Sequence, residues 1–245
     1  MLRRVAGGLF AWQYAEEPIR AVALPGWMRT VADFHSVLRG LPALALDLHG
    51  FGGAHEAPPT AWSTAEYAGA LLPMLEELPE PVVVLGHSFG GRVALQLAAA
   101  RPERVRALLL TGVPQLCARP ASKPGAGPRA IRALRRSGLM SERRLEAWKG
   151  RHGSDDYRRA RGVMRDVLVK AVNEDYEQQL RGLAVPVDFV WGGSDTVVPA
   201  AEAVAASRLI RGDLAHLAVL EGVGHLTPVE APGDLREALC RMCET

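Results

Sequence analysis

The stretch Pro81-Val82-Val83-Val84-Leu85-Gly86-His87-Ser88-Phe89-Gly90-Gly91-Arg92-Val93-Ala94-Leu95-Gln96-Leu97 reads in three parts. Positions 82–85 are a β-branched apolar run, the pattern of a strand buried on both faces. Gly86-His87-Ser88-Phe89-Gly90 interrupts it, and Val93, Ala94, Leu97 and Ala98 then recur at helical spacing. The order is strand, sharp turn, helix. A chain that reverses within so few residues crowds its apex, so the flanking positions favour residues without a Cβ. Gly86 and Gly90 stand two before and two after Ser88, which places the serine hydroxyl at the apex. The pentapeptide is short, and its weight comes from the strand before it and the helix after it.

Outward from this turn, apolar runs and helical stretches alternate. Strands are expected over 19–24, 42–46, 105–110, 187–191 and 216–220, with a first strand pair at the N-terminus. Helices are expected over 28–38, 60–78 and 232–242, with Pro73 as a kink or boundary in the second. This alternation predicts an α/β fold with a mostly parallel, doubly wound sheet covered by helices on both faces. Loops at the carboxyl ends of such strands usually hold the site. Here they include Pro25-Gly26-Trp27 and the glycine-rich run Asp47-Leu48-His49-Gly50-Phe51-Gly52-Gly53.

The alternation breaks over 113–183, where no strand-like run occurs and prolines and glycines cluster between positions 119 and 128. The break predicts an insertion. Helix starts are expected at Ser141, at Ser154 before Asp155 and Asp156, and at Asn173 before Glu174 and Asp175. Tyr157, Met164, Leu168 and Ala171 share one helical face that covers something apolar. Residues 1–112 and 184–245 would then form the core domain, and 113–183 a helical cap. Positions 112–182 carry 16 Lys plus Arg against 8 Asp plus Glu, a net +8, so the remainder is −6 within the overall +2. Such a lid could attract an anionic substrate or an acidic carrier protein, although an Arg-rich helix is more often a solvated face.

At 245 residues the chain is long enough for one sizeable core. A net charge of +2 with ordinary apolar content points away from disorder and from nucleic-acid binding. Cys117, Cys240 and Cys243 are an odd number, so no disulfide framework is expected, and Cys240-x-x-Cys243 has no second pair to complete a metal site. The first residues resemble a basic leader, but their apolar part is short, glycine-broken and followed by Gln13 and Glu16. Charges interrupt every apolar segment before it could cross a bilayer. A cytoplasmic protein without a membrane partner is expected, and oligomeric state is not legible.

Ser88 needs a base, because a serine hydroxyl is a poor nucleophile at neutral pH, and the base needs an orienting group. His35 lies within a helix, His152 in the insertion and His216 at a strand start. His225 follows the last strand in Glu221-Gly222-Val223-Gly224-His225, on the sheet edge where Ser88 emerges. Asp195, in Trp191-Gly192-Gly193-Ser194-Asp195, follows the penultimate strand at the same edge, whereas its rival Asp213 precedes a strand and belongs to the opposite edge. The order Ser88, Asp195, His225 is the one used by hydrolases built on a strand-to-helix elbow. A tetrahedral intermediate also needs backbone donors. Phe89, directly after the serine, and Trp27, in the loop where Gly26 permits close approach, are the candidates.

Together, Pro25-Gly26-Trp27, Asp47-Leu48-His49-Gly50-Phe51-Gly52, Gly86-His87-Ser88-Phe89-Gly90-Gly91, Trp191-Gly192-Gly193-Ser194-Asp195 and Gly222-Val223-Gly224-His225 resemble the α/β-hydrolase fold superfamily. Glu230 and Pro232 extend the likeness in the ending Gly-His-x-x-x-x-Glu-x-Pro. The resemblance implies Ser88 as nucleophile, His225 as base, Asp195 as its orienter, an oxyanion hole from the Trp27 and Phe89 amides, and a cap over 113–183. Two positions depart from the family pattern: Pro25 stands where His is frequent, and His49 where Pro is frequent. His49 reads as a surface loop residue, with contact to substrate as the alternative. A haloalkane dehalogenase is disfavoured, since it resembles a reaction that needs a carboxylate where this chain has Ser88.

The expected function is hydrolysis of a small or medium carboxylic ester or thioester through an acyl-enzyme, with no cofactor and no metal. C–C bond hydrolysis, lactone opening and a non-catalytic ligand-binding role on the same fold stay open. The expected partner is a small-molecule acyl substrate, anionic or carrier-bound.

Overall fold

The computed structural model describes residues 1–16, 18–52, 56–114, 116 and 155–244. These residues build one eight-stranded sheet. Its strands are β1 (Leu2–Arg4), β2 (Phe10–Gln13), β3 (Ala21–Leu24), β4 (Ala43–Leu46), β5 (Val82–His87), β6 (Val105–Thr111), β7 (Val187–Gly192) and β8 (Ala215–Leu220), in the spatial order β1-β2-β4-β3-β5-β6-β7-β8. The two N-terminal strands pair antiparallel with each other, and β2 pairs antiparallel with β4. All later pairings are parallel.

The central strands are apolar throughout because both of their faces are covered. Along β5, Val82 and Val84 enter one core, while Val83 and Leu85 enter the other. The first core receives α2 (Thr64–Glu77) and α3 (Phe89–Ala100). The second receives α1 (His35–Leu38) and the C-terminal helix Pro232–Glu244, through Val37, Leu38, Leu235 and Leu239. Burying a leucine of this kind contributes roughly 1.5–3 kcal/mol, so single-residue alternation in β5 fixes its register firmly.

Between β6 and β7 the described residues form three helices, α4 (Asp155–Arg159), α5 (Gly162–Ala171) and α6 (Glu177–Gly182). Three further helices follow, α7 (Ala200–Ser207), α8 (Thr227–Glu230) and α9 (Pro232–Glu244). The expected helix start at Ser141, together with Ser154, His152, Cys117 and the proline and glycine cluster, lies outside the described residues.

Several expectations need correction. The helix expected over 28–38 is a 3-10 turn, Val31–Phe34, running into α1, because Met28 has φ 54 and closes the preceding turn instead. Pro73 does not bound α2, which continues past it to Glu77. The face assigned to Tyr157, Met164, Leu168 and Ala171 is split between α4 and α5, since Arg161 is extended and Gly162 has φ 51. Asn173 does not start a helix. Its side-chain amide donates back to the Val169 carbonyl at 2.5 Å, and α6 begins at Glu177.

Polar links tie residues 170–176 to α2 and the loop before it. Glu174 accepts from the Thr64 hydroxyl at 2.6 Å and the Tyr176 hydroxyl at 2.8 Å. Lys170 reaches Glu66 and the Ala61 carbonyl, each at 2.9 Å. Among the described residues no helix is long and apolar enough to cross a membrane.

Candidate active site

Ser88 is the N-cap of α3 and holds φ 51, ψ −114, a conformation that costs a non-glycine residue about 1–3 kcal/mol. The surroundings enforce it. The Ser88 N–H donates to the Thr111 carbonyl at the end of β6, and Gly90 packs so closely on β3 that a Cβ there would lie 2.1 Å from the Leu24 carbonyl oxygen. The elbow therefore wedges helix against sheet and leaves Ser88 at the carboxyl edge, beside the first turn of α3. The first amides of a helix lack intrahelical acceptors, so the Phe89 N–H is available to an incoming oxyanion.

Asp195 and His225 meet at the same edge. The loop after β7 folds back so that Asp195 Oδ1 accepts the Val197 and Val198 N–H groups, each at 2.8 Å. Its Oδ2 lies 2.8 Å from His225 Nδ1. A carboxylate oxygen there accepts the Nδ1 proton of a neutral imidazole, which leaves Nε2 as the basic nitrogen. Asp195 is 6% exposed, so little water competes for this contact. The loop carrying His225 is held by Glu230, whose carboxylate accepts from Gly224 N at 2.7 Å and Leu226 N at 3.0 Å.

Trp27, Ser88, Phe89 and His225 all line one cavity of about 330 Å³. Leu168 of α5 and Val172 at its end line it as well. The Trp27 ring stands edge-on to Phe51 and Phe89, with centroids 5.0 and 5.4 Å away, which makes the wall beside Ser88 aromatic. The structure thus brings together Trp27, Ser88, Phe89 and His225 around one space, with Asp195 bonded behind His225. Asp213 sits in a 3-10 turn before β8, at the opposite edge. His35 bonds Tyr14 at 2.6 Å, and His49 packs on Trp62; neither lines the cavity. Cys240 and Cys243 are free thiols. Among the described residues no cluster of three or more His, Cys, Asp or Glu could hold a metal ion.

A profile of the Alpha/beta hydrolase family matches residues 21–238. The chain belongs to the alpha/beta hydrolase family. Pimeloyl-[acyl-carrier protein] methyl ester esterase of Aeromonas hydrophila subsp. hydrophila is 30% identical over 211 residues, 74% of this hydrolase and 78% of that protein. Lipase LipV of Mycobacterium tuberculosis is 39% identical over 97 residues, which span 38% of this hydrolase and only 36% of LipV. The crystal structure of bromoperoxidase from Bacillus anthracis superposes with a TM-score of 0.73 at 17% identity, covering 97% of this chain and 95% of that one. At that identity the likeness concerns the fold alone.

Two residues of the site were not singled out from the sequence. His87 is 1% exposed, lines the cavity and bonds the His225 carbonyl. Arg92, 4% exposed, donates from Nε to the Pro114 carbonyl at 3.2 Å and from Nη1 to the Ala171 carbonyl at 2.8 Å. Arg92 therefore joins the helix of Ser88 to the chain just after β6 and to the C-terminal end of α5. A charge four residues after Ser88, the one charged residue of that helix, was the available signal.

Proposed function

We propose that this hydrolase is a serine-dependent carboxylic ester hydrolase acting on a small or medium acyl ester or thioester. Ser88 Oγ attacks the acyl carbonyl while His225 Nε2 takes its proton. Asp195 orients the imidazole and stabilises the imidazolium that forms. The Trp27 and Phe89 amides stabilise the oxyanion, an effect for which one donor typically supplies roughly 3–4 kcal/mol. His225 returns the proton to the leaving alcohol or thiol, giving an acyl-Ser88 ester that water opens by the same route. The observation that carries this reading is the 2.8 Å Asp195–His225 contact behind the cavity that Ser88 also lines. Residues 113–183 act as the cap over that cavity.

Ser88→Ala should remove nearly all turnover of p-nitrophenyl esters without lowering the Tm, and a fluorophosphonate should label the unsubstituted protein stoichiometrically at Ser88. Undiminished turnover in Ser88→Ala would show the assignment to be wrong.

A carrier-bound acyl group is the substrate form favoured by charge. Positions 112–182 carry a net +8, and a relative of 30% identity is named for an acyl-carrier protein ester. The kcat/KM on a carrier-bound ester should then fall steeply with salt, while that on a free ester of the same acyl chain should not.

A further inference from the structure

His87 is the elbow residue to which the hydrolytic steps give no task. A main-chain carbonyl only accepts, so the 3.0 Å contact between His87 Nε2 and the His225 oxygen fixes the proton on Nε2. The two imidazole rings stand 5.1 Å apart, centroid to centroid. On its other side the ring abuts the loop of Trp27: a Cβ built on Gly26 would lie 2.9 Å from His87 Nδ1 and 3.3 Å from Ser88 Cβ. One buried ring therefore separates the loop that offers the Trp27 amide from the loop that carries His225, and it is bonded to the second. Nδ1 has no hydrogen-bond partner among the described residues. Burial, reinforced by the neighbouring His225, pushes the His87 pKa down to about 4, so the ring is a neutral donor near pH 7.

We propose that His87 is a positioning residue that sets the location of the His225 imidazole relative to Ser88, by donating from Nε2 to the His225 carbonyl while its ring spaces the His225 loop from Gly26. Asp195 holds the side chain of His225 and His87 holds its main chain, so the base is fixed at both ends. The proposal rests on the reading of Ser88, Asp195 and His225 as the reacting groups. Misplacing a base by about 1 Å costs on the order of 100-fold, and the loss falls on kcat because substrate binding does not use this contact.

The test compares His87→Leu, which removes the donor at similar bulk, with His87→Gln, whose terminal amide can reach the same carbonyl. With p-nitrophenyl butyrate, His87→Leu should lower kcat by about 10- to 100-fold with KM within about 2-fold, and His87→Gln should recover most of the loss. The rate of fluorophosphonate labelling should follow kcat. If His87→Leu does not fold, His87→Met takes its place. Wild-type kcat in a folded His87→Leu, or equal losses in both variants with equally lowered Tm, would overturn the proposal. Ser88→Ala is assayed beside them. Its retained turnover would sink the underlying assignment and this proposal with it, whereas an inactive Ser88→Ala beside a fully active His87→Leu would sink this proposal alone.

Discussion

His225 Nδ1 meets Asp195 Oδ2 at 2.8 Å while the second oxygen of the same carboxylate is occupied by the Val197 and Val198 amides. The carboxylate cannot rotate away without breaking its own loop, so the imidazole has a fixed partner. In Asp195→Asn the amide oxygen can keep the two backbone bonds, which turns its NH2 toward His225 and forces the wrong tautomer. The expected result is a fall in kcat of roughly 10²- to 10⁴-fold with little change in KM or Tm. Steady-state kinetics with a p-nitrophenyl ester checks it.

The elbow should tolerate no Cβ where helix meets sheet. Gly90→Ala would place a methyl 2.1 Å from the Leu24 carbonyl oxygen, against backbone that cannot yield. Urea unfolding should show a loss of at least ~2 kcal/mol. Gly69, mid-helix in α2 with nothing within 4 Å, is the control. Gly69→Ala should gain about 0.5–1 kcal/mol.

His87 should make the protein acid-sensitive. Its folded pKa of about 4 lies below the ordinary 6.5, chiefly through burial and next through His225. As pH falls below 6.5 the unfolded chain takes up the proton first, so stability is lost between pH 6.5 and 4 and no further below. The hydrogen bond to the His225 carbonyl and Asp33 raise this pKa, and Arg29 lowers it. Urea midpoints at pH 7 and pH 4.5 should therefore drop less for His87→Leu than for the unsubstituted protein.

The N-terminus of α2 is a capping box. The Ser63 hydroxyl oxygen accepts the Glu66 N–H at 3.2 Å, and Glu66 accepts the Ser63 N–H at 2.6 Å. Ser63→Ala should cost about 0.5–2 kcal/mol in urea unfolding. The Ser63 backbone N–H first, then Lys170, holds the Glu66 pKa down to about 2 from the usual 4.5. A depressed carboxylate stabilises above its unfolded pKa and ceases to do so as pH falls through its folded one. The deficit of Glu66→Gln should accordingly be full at pH 6 and shrink between pH 4.5 and 2.

The buried strands were readable because β3, β4, β5 and β6 are apolar at nearly every position, a local property. Their spatial order is a relation between distant segments, and no local pattern encodes it. The placement of Ser88, Asp195 and His225 at one edge was readable because each follows a strand with glycines nearby, and the loops after parallel strands share an edge. The misplaced helix start at Asn173 had a different cause: Asn173 bonds backward to Val169, and Glu174 reaches the Thr64 hydroxyl on another helix. Capping residues look alike in sequence wherever their side chains are engaged. His87 and Arg92 were not legible because they bond main-chain carbonyls, of His225 for one and of Pro114 and Ala171 for the other, and such groups have no sequence signature.

Arg92 grips the chain at Pro114 and again at Ala171, and Glu174 and Lys170 fasten the returning strand of chain to α2. The residues that make these four contacts all lie outside the interval between Leu116 and Asp155. A foreign segment spliced into that interval would meet the same anchors, so under the proposed cap role of 113–183 substrate preference could be changed there while Ser88 keeps its place at the start of α3.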